Sequence, residues 1–325
     1  MMRKLNDIPI FELFSKYRQA LFGIAAISIV LVHFPAPQGS LYQRLYGSLV
    51  GSIGVEIFAI LSGYGLYFAY SKKPRIGQFY LRRGKRVIVP YLLISAPLLL
   101  ISTVTLGGGD VSVFLQRISF VSFFRFGDVR QWYVAFILCM YLLYPVFDFL
   151  ARKMKNCFVL IMLITFIGIL ALKQYAEPFY QNTQNALWRV LSFEAGIMFA
   201  MAAQKKIKLN WWIIGLVVFG FVIMLVNAKL GHIWDRLPRF FYGISCIILL
   251  VLVIDRLPFR PLITALEKTG IYSFEVYITH VLLLEIAEAA SIDVSSFLSY
   301  SILVYISVIL SLGTKFITNA LFSKG

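Results

Sequence analysis

Long apolar runs separated by short polar stretches dominate this 325-residue chain. A helix that crosses the hydrocarbon core of a bilayer needs about 20 apolar residues, and ten segments approach or reach that length. Helices satisfy their own backbone hydrogen bonds in lipid, so the pattern predicts an all-α polytopic membrane protein, a bundle of about ten transmembrane helices. The predicted spans are residues 18–34, 48–70, 88–106, 131–150, 157–173, 186–203, 211–227, 238–254, 270–288 and 297–319.

The composition excludes a soluble globular protein. The chain is 60% hydrophobic and 14% charged, whereas a soluble domain is about half apolar and a quarter charged. The predicted loops are short, and no repeat or linker is visible. We therefore expect one membrane domain over residues 1–325, with no appended soluble domain.

The basic excess gives the expected orientation. The net charge is +16, and in membrane proteins Lys and Arg collect on cytoplasmic loops. With the N-terminus in the cytoplasm, 22 of the 31 Lys and Arg residues fall on that side, so both termini are predicted to be cytoplasmic. The positive charge therefore does not require a nucleic-acid partner, and none is expected.

The three cysteines lie far apart in the sequence, without the spacing of a disulfide framework or a metal site. No metal is expected.

Ionisable residues inside membrane spans are costly, so each one suggests a function. Four stand out: His33, Glu56, Glu194 and His280. His33 follows Arg18 by fifteen residues, which is about 22 Å along a helix. Arg18 therefore marks the cytoplasmic end of the first span, and His33 lies toward the opposite side.

His280 is predicted near mid-depth in its span. Glu275, five residues earlier, does not share its helix face, so any partner of His280 must come from another helix. The two histidines and Glu56 are expected at mid to outer depth, where they could converge in the core of the bundle.

The second span carries small residues on both sides of its acidic residue, Glu56. The segment GSLVGSIG at 47–54 allows a neighbouring helix to press against Glu56. Ser62, Gly63 and Gly65 continue as a narrow stripe, which either admits a thin substrate chain or packs against another helix.

A dense basic cluster precedes the third predicted span. Arg82, Arg83, Lys85 and Arg86 fall within five residues. The cluster is either a cytoplasmic anchor or a clamp for phosphate, whose oxygens match the guanidinium fork. Pro90 is expected to end or kink this helix and to turn the basic face toward the bundle.

Two aromatic residues, Trp132 and Tyr133, begin the fourth span. Their position suits the aromatic belt at the outer membrane interface. Stacking against a sugar is the alternative function.

These motifs, in this order and spacing, resemble the bacterial membrane acyltransferases of the acyltransferase-3 family. The similarity covers most of the chain and is strongest over its first 150 residues. It is carried by GIAAISIVLVH ending at His33, GVEIFAILSGYGLYF around Glu56, FYLRRGKRVIVPY at 79–91, QWYVAFILCMYLLYP at 131–145 and YSFEVYITH at 272–280.

The resemblance implies a reaction and its substrates. Members of this family move an acyl group, usually acetyl from coenzyme A, onto sugars of surface or secreted glycans. It implies a multi-pass protein of the bacterial cytoplasmic membrane whose partners are the lipid bilayer, acyl-CoA and a glycan or lipid-linked sugar. Acetyl-CoA, or another acyl-CoA, is expected as the donor substrate, and no tightly bound cofactor is expected.

The resemblance also implies roles for individual residues. His33 matches the first-helix histidine that is central to transfer, and Glu56 takes the place of the second-helix acid. Arg82, Arg83 and Arg86 match the basic motif placed near the coenzyme A phosphates.

One position departs from the family pattern. The family commonly has an arginine eleven residues before its histidine, where this chain has Phe22. Arg18, one turn earlier on nearly the same face, is interpreted as a displaced equivalent. The Ser62 stripe is assigned to the path of the acylated arm.

Two mechanisms and two other functions stay open at this stage. His33 acts either as a general base for the acceptor hydroxyl or as a transient acyl carrier, with Glu56 orienting or charge-stabilising the imidazole and His280 joining the site. The alternatives are a transporter or flippase for a polysaccharide precursor, and a non-catalytic membrane scaffold or sensor. The sequence fixes neither the acceptor nor the acyl group.

Overall fold

The computed structural model of the protein describes residues 8–36, 39–40, 42, 53–72, 75–153, 158–230 and 236–322. Every regular element in these ranges is helical, which confirms the all-α prediction. The α-helices are α1 (Glu12–Lys16), α2 (Arg18–Val32), α3 (Ile53–Lys72), α4 (Ile76–Leu99), α5 (Val111–Ile118), α6 (Val121–Phe126), α7 (Trp132–Lys153), α8 (Phe158–Tyr175), α9 (Glu177–Gln204), α10 (Trp211–Lys229), α11 (Leu237–Arg256), α12 (Arg260–Ile271), α13 (Ser273–Ala289) and α14 (Phe297–Phe322).

The ten predicted spans all correspond to helices in the described ranges. Eight helices are long and apolar enough to cross a bilayer. The ninth predicted span is a broken one, because α12 and α13 meet at an angle of 65°. The first is α2, a shorter apolar helix of 15 residues. The cytoplasmic location of both termini stays a prediction.

The third predicted span begins earlier than its hydropathy indicated. Helix α4 starts at Ile76 and runs through Pro90 and Pro97 before a π-helical segment, Leu100–Leu106. Pro90 was expected to end or kink this helix; an end at Pro90 is wrong, and a kink there stays a prediction. A membrane bundle tolerates proline inside a helix because neighbouring groups compensate for the missing backbone hydrogen bond, and Pro90 is buried. The basic cluster consequently lies on the helix itself, with Arg82 and Arg86 one turn apart.

The helices divide into a central and a peripheral set. In α9 and α3, 72% and 67% of the residues in the apolar window are buried, against 11% in α8 and 22% in α10. The outward faces of the peripheral helices carry large exposed apolar side chains. Those faces are suited to lipid, and the central helices can hold polar groups away from it.

Glycines set the closest approaches between the central helices. A Cβ atom added to Gly63 of α3 or to Gly196 of α9 would lie 2.0 Å from a carbonyl oxygen of the other helix. Helices α2 and α12 approach in the same way. A Cβ atom added to Gly23 or to Gly270 would lie 2.1 or 1.9 Å from a carbonyl oxygen of the other helix. Small residues at these positions allow helix backbones to touch. Residues 47–52 of the predicted small-residue face lie outside the described residues.

Candidate active site

A cavity of about 700 Å³ opens at the end of the bundle where α2 begins. We call it the basic cavity, because arginine and lysine side chains from α2, α4 and α14 line it. All five residues that the sequence analysis assigned to the donor lie on its wall. They are Arg18, Ser62, Arg82, Arg83 and Arg86, and Lys85 and Lys315 join them.

The positive charge of this cavity is largely uncompensated. Glu275 is the one acidic residue among the side chains that line it in the described structure, and its carboxylate already pairs with Lys315 Nζ at 2.9 Å. Excess positive charge in a partly enclosed site attracts anions. The cavity is therefore chemically suited to phosphate groups.

Arg18 reaches this cavity although it stands one turn from the position where an arginine was expected. Its Nη2 lies 3.4 Å from the Leu61 carbonyl oxygen, and its guanidinium covers the Phe22 ring at 5.2 Å. The lack of a side chain at Gly65 leaves room for it, since a Cβ there would lie 2.1 Å from Arg18 Nη2. Phe22, which also lines the cavity, thus supports the arginine rather than replacing it.

The stripe of small residues on α3 serves two purposes. Ser62 lines the basic cavity and Gly65 makes room for Arg18, but Gly63 packs against the backbone of α9. The stripe is therefore only in part a channel wall.

A second cavity, of about 330 Å³, lies where α2 ends, and we call it the histidine cavity. His33 lines it together with Trp132, Tyr277, Glu285 and Glu288. His33 is exposed, so its ring is accessible to a ligand in this cavity.

The two histidines of the predicted site are in contact. His33 Nδ1 lies 3.2 Å from His280 Nε2, and His280 is fully buried. Each ring also places its Nδ1 against a backbone carbonyl oxygen one turn earlier, at Ile29 (2.8 Å) and at Val276 (3.2 Å). The partner expected for His280 from another helix is therefore His33.

Glu56 is not placed as the sequence analysis expected. Its carboxylate accepts a hydrogen bond from the Ser192 hydroxyl and lies 3.2 Å from Arg189 Nε, both on α9. In the described structure it makes no hydrogen bond to either histidine. The reason is the helix packing, because α3 lies closest to α9, whereas the histidines sit on α2 and α13. The expected contact between Glu56 and the imidazole is thus wrong.

The neighbour predicted to press against Glu56 is helix α11. A Cβ at Gly243 would lie 2.6 Å from the Cβ of Glu56. Arg189 of α9 is the group that the sequence analysis missed here. It lies inside the predicted span 186–203, so the same rule that singled out Glu56 could have found it.

The two aromatic residues at the start of α7 line different cavities. Trp132 lines the histidine cavity, whereas Tyr133 is buried and lines the basic cavity. The expectation that Tyr133 lies in an interfacial belt is therefore wrong. Its ring contacts that of Tyr277 with centroids 5.6 Å apart. Tyr277 lines the histidine cavity, so these two rings lie between the cavities.

A charged network that the sequence analysis did not identify forms part of the histidine cavity. Arg117 donates to both oxygens of Glu285 at 2.5 and 2.8 Å, and its Nε donates to Asp128 at 2.9 Å. Burial disfavours the charged guanidinium, but the two carboxylates outweigh it and raise the pKa of Arg117. Arg130 Nε lies 3.5 Å from Glu285. Glu285 is an ionisable residue within the predicted span 270–288, which is the signal that would have revealed it.

Glu194 lies apart from both cavities. Its Oε1 accepts a hydrogen bond from Thr165 at 2.7 Å, between α8 and α9. It does not line either cavity.

A comparison with protein families gives one identification. A family model described as an acyltransferase domain matches residues 21–316. The matched range contains every predicted site residue except Arg18, which lies just before it. Neither a curated protein nor a solved structure gives a match to the chain.

Proposed function

Because the chain belongs to the acyltransferase-3 family of membrane acyltransferases, we propose that it moves an acyl group from acyl-CoA to a hydroxyl of a cell-surface or secreted glycan. Acetyl is the proposed acyl group. One observation supports this assignment more than any other. The basic cavity and the histidine cavity approach each other through the Tyr133 and Tyr277 rings. Two different substrates could therefore bind in separate cavities, with their reacting groups on either side of these rings.

The donor is assigned to the basic cavity. Coenzyme A carries several phosphate charges, and guanidinium forks bind phosphate oxygens in a bidentate manner. A volume of about 700 Å³ lies within the ordinary range for ligand sites. Phosphates bound by Arg82 and Arg86 would leave the thin acylated arm to extend past Ser62 toward Tyr133. In this proposal the Arg18 end of the bundle faces the cytoplasm of a bacterial cell.

The acceptor is assigned to the histidine cavity. Sugar hydroxyls donate hydrogen bonds to carboxylates. Glu285 and Glu288 provide two carboxylates in the same cavity as His33. Arg117 holds Glu285 through two hydrogen bonds, which fixes the direction of that carboxylate. Trp132 adds an aromatic surface of the kind that stacks on sugars.

The contacts of the two histidines support a proton arrangement suited to a base. We assign the Nδ1–H tautomer to both rings, because each Nδ1 faces a backbone carbonyl oxygen. His280 Nδ1–H then donates to the Val276 carbonyl, and the lone pair on its Nε2 faces His33. His33 Nδ1–H then donates toward the Ile29 carbonyl and His280 Nε2. His33 Nε2 is left unprotonated, and it can accept a proton from an acceptor hydroxyl.

His33 acts as a general base in this proposal because it lines the acceptor's cavity rather than the donor's. The hydroxyl proton moves to His33 Nε2, and the oxygen attacks the thioester carbonyl carbon. The carbon–sulfur bond of the resulting tetrahedral intermediate breaks, and the leaving thiolate takes the proton from His33. The products are the glycan ester and free coenzyme A, and His33 returns to its starting state.

His280 stabilises the charged intermediate form of His33. Once His33 is protonated, the His280 Nε2 lone pair and the Ile29 carbonyl both face its Nδ1–H. This is the role that a carboxylate has in a catalytic triad, and here a buried neutral imidazole takes the place assigned to Glu56.

The direct test is a transfer assay with acetyl-CoA labelled in the acetyl group. Membranes that contain the protein and its native glycans should release free thiol and gain label in a base-labile glycan ester. Proteoliposomes of the purified protein distinguish transport, since uptake of intact acetyl-CoA or of a sugar precursor without thiol release would favour a transporter and overturn the proposal.

A further inference from the structure

A second basic cluster lies at the His33 end of the bundle, where three helices meet. Arg189 of α9 pairs with Glu56 of α3, and α11 contributes Arg239 and the preceding Arg236. Gly243 lies against Glu56, and Arg239, four residues earlier, shares that face of α11. We call these three arginines the outer arginine cluster.

The guanidinium of Arg189 is buried with one nitrogen, Nη1, that has no partner among the described residues. The residue is 3% exposed. Its Nε forms the ion pair with Glu56, but its Nη1 is buried and has no hydrogen-bond partner in the described structure. Buried donors in native proteins are almost always satisfied. An unsatisfied charged donor is more costly still, which points to a ligand that the described residues do not provide.

The charges of the cluster do not balance within the described residues. Glu56 is the one carboxylate bound to it, and its second oxygen is already taken by Ser192. Arg236 bonds only to the neutral amide of Gln184, at 3.3 Å. Arg239 forms no ion pair there.

The cluster is also shielded from water in part, since Arg189 is buried and Arg236 and Arg239 are half-buried. Burial, together with the nearby Arg189 and Arg239, lowers the pKa of Arg236 to about 10. Uncompensated charge is expensive away from water, so the cluster favours an added anion.

The cluster adjoins the histidine cavity through one side chain. The Arg189 guanidinium lies over the Trp132 ring at 5.5 Å, and Trp132 lines the cavity that holds His33. Val55, next to Glu56 in the chain, lines the same cavity. A ligand bound by the cluster would thus lie one side chain away from the acceptor.

We infer that Arg189, Arg236 and Arg239 form a phosphate-binding site at the His33 end of the bundle. The phosphate comes either from a phosphorylated acceptor, such as a lipid-linked sugar, or from the headgroup of an anionic phospholipid. If the phosphate belongs to a phosphorylated acceptor, its binding would hold the attached sugar beside His33. This link to the acceptor rests on the proposed function. Phosphate binding itself does not, and its test requires no acyl transfer.

The test measures binding as thermal stabilisation of the detergent-purified protein, since a ligand that binds only the folded state raises Tm. The basic cavity is itself proposed to bind phosphate, so all measurements use the R82Q/R86Q background. The probes are inorganic pyrophosphate and dihexanoyl phosphatidylglycerol. The variants are R239Q and R236Q, and the matched control is R125Q, an exposed arginine of α6.

The background protein and its R125Q form should be stabilised by one of the two probes. R239Q should weaken that stabilisation, with an apparent Kd raised about tenfold, as expected for the loss of one charge-assisted hydrogen bond. R236Q, which loses only a bond to Gln184, should do the same if R239Q fails to fold. Stabilisation by pyrophosphate assigns the site to a phosphorylated acceptor, and stabilisation by the lipid alone assigns it to a headgroup. No stabilisation, or stabilisation that persists in both arginine variants, would overturn the inference.

Discussion

His33 Nδ1 and His280 Nε2 lie 3.2 Å apart, although 247 residues separate them in the chain. His280 is fully buried and His33 is exposed. The buried ring therefore reaches a substrate only through the exposed one. His280 is a positioning residue in this account, and His33 is the catalytic one.

Replacement of His280 separates hydrogen bonding from packing. His280→Phe keeps a ring of similar size but offers His33 no acceptor, so kcat should fall by about 100-fold, within the range for general-base catalysis. His280→Gln keeps an oxygen acceptor and should retain a substantial part of the activity. The measurement is the rate of thiol release at saturating acetyl-CoA.

The same two variants need a stability control, since position 280 lies in the core. Tm of each variant in detergent shows whether the fold survives. Equal kcat for the two folded variants would contradict the role assigned to His280.

The basic cluster of α4 should govern donor affinity. Arg82→Ala combined with Arg86→Ala should raise the KM for acetyl-CoA by about tenfold or more, because each lost guanidinium removes charge-assisted bonds to phosphate. Arg75→Ala, an exposed arginine just before α4, is the control and should change KM little. An increase confined to the acceptor KM would show that the cluster does not bind the donor.

Gly65 should matter through Arg18. A Cβ at position 65 would lie 2.1 Å from Arg18 Nη2 and 2.5 Å from its Cζ, so Gly65→Ala should displace the guanidinium and raise the donor KM several-fold. Arg18→Ala should have a similar effect, and the double variant should be no worse than either single one. Gly215→Ala, where no atom lies within 4 Å, is the control. Additive effects of the two changes would contradict this coupling.

The rings between the cavities should exclude water from the thioester. Tyr277→Ala would open the layer that Tyr277 forms with Tyr133 and should increase thioester hydrolysis several-fold in the absence of acceptor. Tyr277→Phe retains the ring and should not. The measurement is free thiol released from acetyl-CoA by purified protein without glycan, and equal hydrolysis by both variants would show that the layer has no such role.

Hydropathy and charge predicted the helical bundle well, but not the details that depend on neighbours. Ten apolar runs correspond to ten helical segments, because span length and backbone satisfaction in lipid leave few alternatives. The start of α4 at Ile76 was missed because residues 82–86, within its first three turns, are mostly basic and line the basic cavity. Hydropathy alone cannot distinguish such a stretch from a cytoplasmic loop.

Candidate site residues could be predicted from the sequence more readily than their contacts. The rule that ionisable groups in spans have a function identified His33, Glu56 and His280, and it would also have identified Arg189 and Glu285. What no single helix reveals is which groups meet, since that depends on which helices pack together.

Glu56 illustrates this limit. Its sequence spacing is compatible with a histidine partner, but α3 packs on α9 and directs the carboxylate to Arg189. The pair of histidines, on α2 and α13, needed the three-dimensional arrangement to be recognised.

The central claim is that His33 is the base for acyl transfer, and one variant tests it most directly. His33→Ala protein should reach the membrane in normal amounts and bind labelled coenzyme A as the parent does, because His33 lies outside the basic cavity. Its rate of acetyl transfer to glycan should fall at least 100-fold. Transfer at the parental rate by this folded, donor-binding variant would contradict the account.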